Sequence, residues 1–70
     1  MNMMTLADRL VLLPDYARVN DPGLHVAIAE RAVASGDADE AAAWAVAAFD
    51  LDASDVCHLV TIAADAIRWS

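Results

Sequence analysis

The residues with the greatest chemical reach in this 70-residue chain are Cys57, His58 and His25, followed by the carboxylates Asp55 and Asp65. Donors of this kind hold a metal when several converge, and a His–carboxylate pair supports acid–base catalysis. The spacing argues against both. Cys57 and His58 are neighbours on a predicted helix, so their side chains diverge by about 100° and do not comfortably share one ion. His25 stands far from them in sequence, and nothing in the pattern brings it close. Cys57 therefore reads as a small buried or half-buried thiol, and His58 as a residue of the solvent face. Asp55 lies one turn before His58 and Asp65 two turns after it, which reads as charge compensation near a helix start. No serine, lysine or second histidine stands at a related spacing. Gly23 and Gly36 stand alone and form no phosphate-cradling loop, and a calcium loop would need denser oxygen ligands and a closing Glu. The expectation is a protein that is not an enzyme, with no catalytic residue, no metal and no cofactor.

The elements that carry these side chains are helices. The chain holds 17 alanines but only two Gly and two Pro, which favours an all-α domain because Ala is the best helix former. A composition 60% hydrophobic and 21% charged argues against disorder. A chain of this length buries only about 60% of its unfolded surface, so residues 1–70 are expected to form one small domain.

Thr5 and Asp8 have capping-box spacing before Leu6, Leu10 and Leu13, and Pro14 stops this first helix. Asp15–Asn20 has room for one short helical turn. Asp21 as cap, Pro22 at the first helical position and Gly36 as left-handed terminator predict a second helix over 22–35. Leu24, Ala27, Ile28 and Ala32 form one face of it, and Val26 and Val33 another. Asp37 and Glu40 form a capping box for a third helix, whose run from Ala41 to Phe49 is non-polar at nine consecutive positions. Trp44, Ala47, Ala48 and Leu51 make its expected stripe. A fourth helix begins near Asp52 or Ser54 and reaches towards Trp69, with Val56, Leu59, Val60, Ala63 and Ile67 on its core face. The expected fold is a small bundle of four short helices with a central antiparallel helical hairpin.

The net charge of -7 comes from eleven acids against four Arg and no Lys. Four scattered arginines do not neutralise a run of phosphates, so direct nucleic-acid binding is not expected, and an anionic membrane surface is disfavoured for the same reason. Residues 21–55 carry eight acids against Arg31, so the net charge sits in the middle of the chain. Cys57 is the only cysteine, which excludes an internal disulfide and fits a reducing, cytoplasmic setting. Met1–Met4 is uncharged apart from its amine and Leu10–Leu13 is too short for a signal-peptide core or a membrane span, so neither is expected to act as one.

The segment from Gly36 to Asp55 resembles the turn and second helix of a tetratricopeptide repeat. Gly36 takes the tight interhelix turn, Ala41 and Ala48 two small packing positions, and Leu51-Asp52 the usual exit. Ile28 and Ala29 fall at the large-then-small pair of the first helix. Residues 22–55 span 34 positions, the length of one such repeat. The chain departs from the pattern at His25, where Trp is common, at Ala32 and Ala45, where aromatics are usual, and at Ala53, where Pro is usual. The resemblance covers about half of the chain and implies an antiparallel hairpin and a role in binding proteins.

Acids crowd the helix starts, where Asp37, Asp39, Glu40, Asp52 and Asp55 meet the favourable end of the helix dipole. Asp50 does not fit that account: it follows a helix and has no basic residue three or four positions away. Asp37, Asp39, Glu40, Asp50, Asp52 and Asp55 are therefore the candidate partner-binding surface, facing a protein with a basic surface. Trp44, Phe49, Leu51 and Trp69 are the candidate apolar surface for a partner or a second copy. The function expected is a small acidic protein-interaction module, in one version an inhibitor or nucleic-acid mimic that masks a basic surface. The alternative is a structural homodimer packed through the alanine-rich third helix, at Ala45 or Ala48.

Overall fold

The computed structural model describes residues 3–70; Met1 and Asn2, the start of the Met1–Met4 run, lie outside the described residues. Five α-helices follow one another: α1 (Leu6–Val11), α2 (Asp15–Val19), α3 (Pro22–Ser35), α4 (Ala38–Ala48) and α5 (Val56–Arg68), the last preceded by a 3₁₀ turn over Ala53–Asp55. The described residues contain no strand. The expected count of four helices is one too low. Pro14 both ends the first helix and starts the next: its carbonyl accepts from the amides of Ala17 and Arg18, and Asp15–Val19 winds as its own short helix.

Local signals account for most boundaries. Thr5 Oγ1 accepts from the Asp8 amide at 3.1 Å while Asp8 Oδ2 accepts from the Thr5 amide at 3.4 Å, closing the expected capping box. Asp21 Oδ1 accepts from the amides of Gly23 and Leu24, at 2.8 and 3.3 Å, and also receives Arg9 Nη2 at 2.8 Å. One carboxylate thus caps α3 and anchors α1 to its start. Gly23 is the point of closest approach, because a Cβ there would stand 3.0 Å from Leu6 Cδ1 and 2.8 Å from Arg9 Nη2. Gly36 ends α3 at φ 71°, as a left-handed terminator requires.

The capping box expected for α4 is only half formed. Asp37 Oδ1 accepts from the Glu40 amide at 3.1 Å, but the Glu40 carboxylate turns to Arg31 instead of returning to the cap. An arginine fork satisfies a carboxylate with two hydrogen bonds where the cap amide offers one.

The core is built from α3, α4 and α5, which pack against one another, with Leu10 of α1 added at one side. Leu24, Ile28 and Ala32 of α3 and Leu59 and Ala63 of α5 are fully buried, close to the expected faces. On α4 the stripe differs from expectation. Ala41, Ala42 and Ala45 face inward, whereas Ala43, Ala47 and Ala48 are exposed and Trp44 is half-buried. α3 and α5 lie side by side in the same sense. His25 near the start of α3 meets His58 near the start of α5, and the later residues Val33 and Ala66 line one groove. No helix among the described residues is long and apolar enough to cross a membrane.

Candidate functional site

The six candidate acids divide by what their carboxylates already do. Glu40 is held by Arg31, whose Nε lies 3.1 and 3.2 Å from its two oxygens, and Arg31 also stacks over the Trp44 ring with Cζ 5.4 Å from its centroid. These hydrogen bonds hold the Glu40 carboxyl below its ordinary range and raise the Arg31 guanidinium. Asp37 and Asp52 cap their own helices; Asp52 accepts from the Ser54 amide at 2.9 Å, which lowers its carboxyl as well. Asp39 is exposed in the first turn of α4 and Asp55 is half-buried at the start of α5.

Asp50 has a structural reason to stand where it does. Its φ is 52°, the left-handed region, and the following Leu51 amide donates to the Val46 carbonyl at 3.0 Å. That is the long-range bond of a Schellman terminator, with Asp in the place Gly usually takes. Its own carbonyl receives Arg18 Nη1 at 3.1 Å. A short polar residue followed by a large apolar one after a helical run was the signal available for this turn.

The candidate apolar residues separate in the same way. Phe49 and Leu51 are 7% and 9% exposed and belong to the core, so they offer no surface to a partner. Trp44 meets Phe49 edge to face, with ring centroids 5.5 Å apart, and is partly covered by Arg31. Trp69, by contrast, is 81% exposed just past the end of α5. Ser70 beside it joins Ala66 of α5 and Ala29, Val33 and Ala34 of α3 in lining an open apolar groove of about 550 Å³, with Glu30 as its charged residue. Sequence reading gave no sign of this groove, because it forms only where α3 and α5 run alongside each other.

Cys57 is exposed rather than buried or half-buried, since it precedes the inward-facing Leu59 by two positions and so points away from the core. The ring neighbour of His58 is His25, with centroids 6.3 Å apart. No hydrogen bond joins His58 to Asp55 among the described residues, and Asp65 pairs with Arg68 at 3.8 Å. No group of three His, Cys, Asp or Glu side chains converges on a metal position among the described residues. Comparison of the chain with protein-family models, curated proteins and solved structures finds no match.

Proposed function

We propose that this protein is a small, non-catalytic acidic interaction module that grips a basic partner protein through the α3–α5 groove and Trp69. The observation that carries the reading is the exposed Trp69, one residue before the Ser70 that lines an apolar groove, on a chain of net charge -7. A solvated tryptophan next to a concave apolar surface is the composition of an interface hot spot. The exposed acids Asp37, Asp39, Asp50 and Asp52 supply long-range attraction for a basic surface, and Asp55 adds to it. Masking such a surface makes the module an inhibitor or nucleic-acid mimic. The free thiol of Cys57 suits a reducing, cytoplasmic setting. An antiparallel α3–α4 hairpin of tetratricopeptide type accords with the Gly36 turn and with Arg31 reaching Glu40 across it.

Affinity capture from the host lysate with three baits tests this reading. The wild-type chain is expected to retain a basic protein, less well as salt rises; Trp69→Ala and the triple Asp50→Lys, Asp52→Lys, Asp55→Lys chain are each expected to lose it. Retention unchanged by both variants overturns the proposal.

A second reading, a homodimer packed through α4, is favoured by the exposed alanines Ala43, Ala47 and Ala48. Ala45 is buried inside the chain and has no part in such a contact. Sedimentation of Ala47→Leu against wild type decides it: a dimer that the substitution splits supports it, and a monomer in both removes it.

A further inference from the structure

We propose that His25 and His58 form a two-nitrogen site for a borderline divalent cation such as Zn²⁺ or Cu²⁺. The first reason is the tautomer of His25. Its Nε2 lies 2.7 Å from the Val19 carbonyl, and a carbonyl oxygen only accepts, so Nε2 carries the proton. In the neutral ring the lone pair is then on Nδ1. That atom has no hydrogen-bond partner among the described residues, and the one buried and unpartnered side-chain nitrogen or oxygen among them is Arg18 Nε. The lone pair of the half-buried His25 is therefore not sealed in the core. A histidine whose far N–H is held by a backbone carbonyl is the arrangement that orients imidazole ligands at metal centres.

The second reason is distance. An ion about 2.0–2.1 Å from each coordinating nitrogen lies about 3.2 Å from each ring centroid, so two imidazoles on one ion have centroids at most about 6.4 Å apart. The His25 and His58 centroids are 6.3 Å apart, with planes inclined at 67°. A tetrahedral angle draws them to about 5.2 Å, a closure of about 1 Å that the exposed His58 supplies by rotating its side chain. No third His, Cys, Asp or Glu converges with them among the described residues, which leaves the other coordination positions to water. Imidazole donors select Zn²⁺, Cu²⁺ and Ni²⁺ over Mg²⁺ or Ca²⁺. The bound ion ties the start of α3 to the start of α5, and through His25 to the end of α2.

The test is a titration of the untagged full chain with Zn²⁺, Cu²⁺ and Mg²⁺, followed by calorimetry and by the ring-nitrogen resonances of both histidines. Zn²⁺ is expected to move the resonances of both rings together, saturating at one ion per chain and raising the melting temperature. Cu²⁺ is expected to bind more tightly than Zn²⁺, and Mg²⁺ not at all. His58→Ala, at an exposed position that leaves the core intact, is expected to remove both the binding and the thermal shift. Cys57→Ser is expected to leave the affinity within about twofold, because the thiol is not a ligand. Movement of one ring alone, binding that survives His58→Ala, loss of binding in Cys57→Ser, or no response to millimolar Zn²⁺ each overturn the proposal.

Discussion

Arg18 donates from Nη1 to the backbone carbonyl of Asp50 across 3.1 Å, joining the short helix α2 to the turn that ends α4. Its Nη2 is ion-paired with Asp15 one turn earlier, so the guanidinium bridges two segments 32 positions apart. The contact fastens the one non-glycine residue with positive φ among the described residues.

Removing that fastening weakens the fold. Arg18→Ala is expected to cost about 1–2 kcal/mol, since it deletes a charged hydrogen bond in a partly buried place. Asp50→Gly is expected to stabilise by about 0.5–1 kcal/mol, because glycine adopts the left-handed region without a Cβ penalty. Urea unfolding of both variants checks the pair; an Asp50→Gly chain less stable than wild type would contradict the terminator assignment.

Acid is expected to loosen the α3–α4 connection and the start of α5. Glu40 and Asp52 have carboxyls lowered in the folded chain, Glu40 by Arg31 and Asp52 by the Ser54 amide. A group whose folded value is depressed stabilises above its unfolded value and loses that contribution as pH falls through the folded one. The loss therefore begins near the ordinary values of 4.5 for Glu40 and 3.8 for Asp52 and deepens below them. Urea midpoints measured down to strongly acid pH are expected to fall in wild type and to fall less in Glu40→Gln and Asp52→Asn.

The two tryptophans are expected to report different surroundings. In Trp44→Phe the remaining indole, Trp69, is solvated, so its emission should lie to the red and acrylamide should quench it strongly. In Trp69→Phe the remaining Trp44, packed against Phe49 and Arg31, should emit to the blue and resist quenching. Trp44→Phe also weakens the cation–π contact and is expected to cost about 0.5–1 kcal/mol. Trp69→Phe should leave stability unchanged.

Alanines of α4 are expected to differ sharply in tolerance. Ala45→Leu forces a large side chain between closely packed helices and should cost about 1–3 kcal/mol. Ala47→Leu, at an exposed position, should stay within about 0.5 kcal/mol of wild type in the monomer. Thermal melts of the two variants read the difference directly.

Where a boundary depends on a local signal, the chain announces it. Asp21, Pro22 and Gly36 delimit α3 because a cap, a fixed φ and a left-handed terminator each act within one turn. The inward alanines of α4 were not legible, since positions 41, 42, 43, 45, 47 and 48 are chemically identical and only α3 and α5 choose among them. The burial of Phe49 and Leu51 follows from the turn at Asp50, which folds both back onto the core instead of letting α4 run on. The meeting of His25 and His58 and the groove beside Trp69 share one cause, the side-by-side course of α3 and α5. That relation joins residues 33 positions apart, His25 and His58, and leaves no periodicity in either helix.

The alanines at the centre of α4 have a thermodynamic consequence. Heat-capacity change on unfolding tracks the apolar area exposed, typically about 12–15 cal/mol/K per residue, and three of the fully buried core side chains on this helix are single methyl groups. The increment for this chain should fall at or below the lower end of that range, and a small chain also has a small unfolding enthalpy, about 0.7 kcal/mol per residue near 60 °C. The stability curve is then shallow and its melting transition broad. Stability varies little between cold and warm conditions, and cold denaturation is pushed to a lower temperature than a core of larger side chains with the same midpoint and enthalpy would allow.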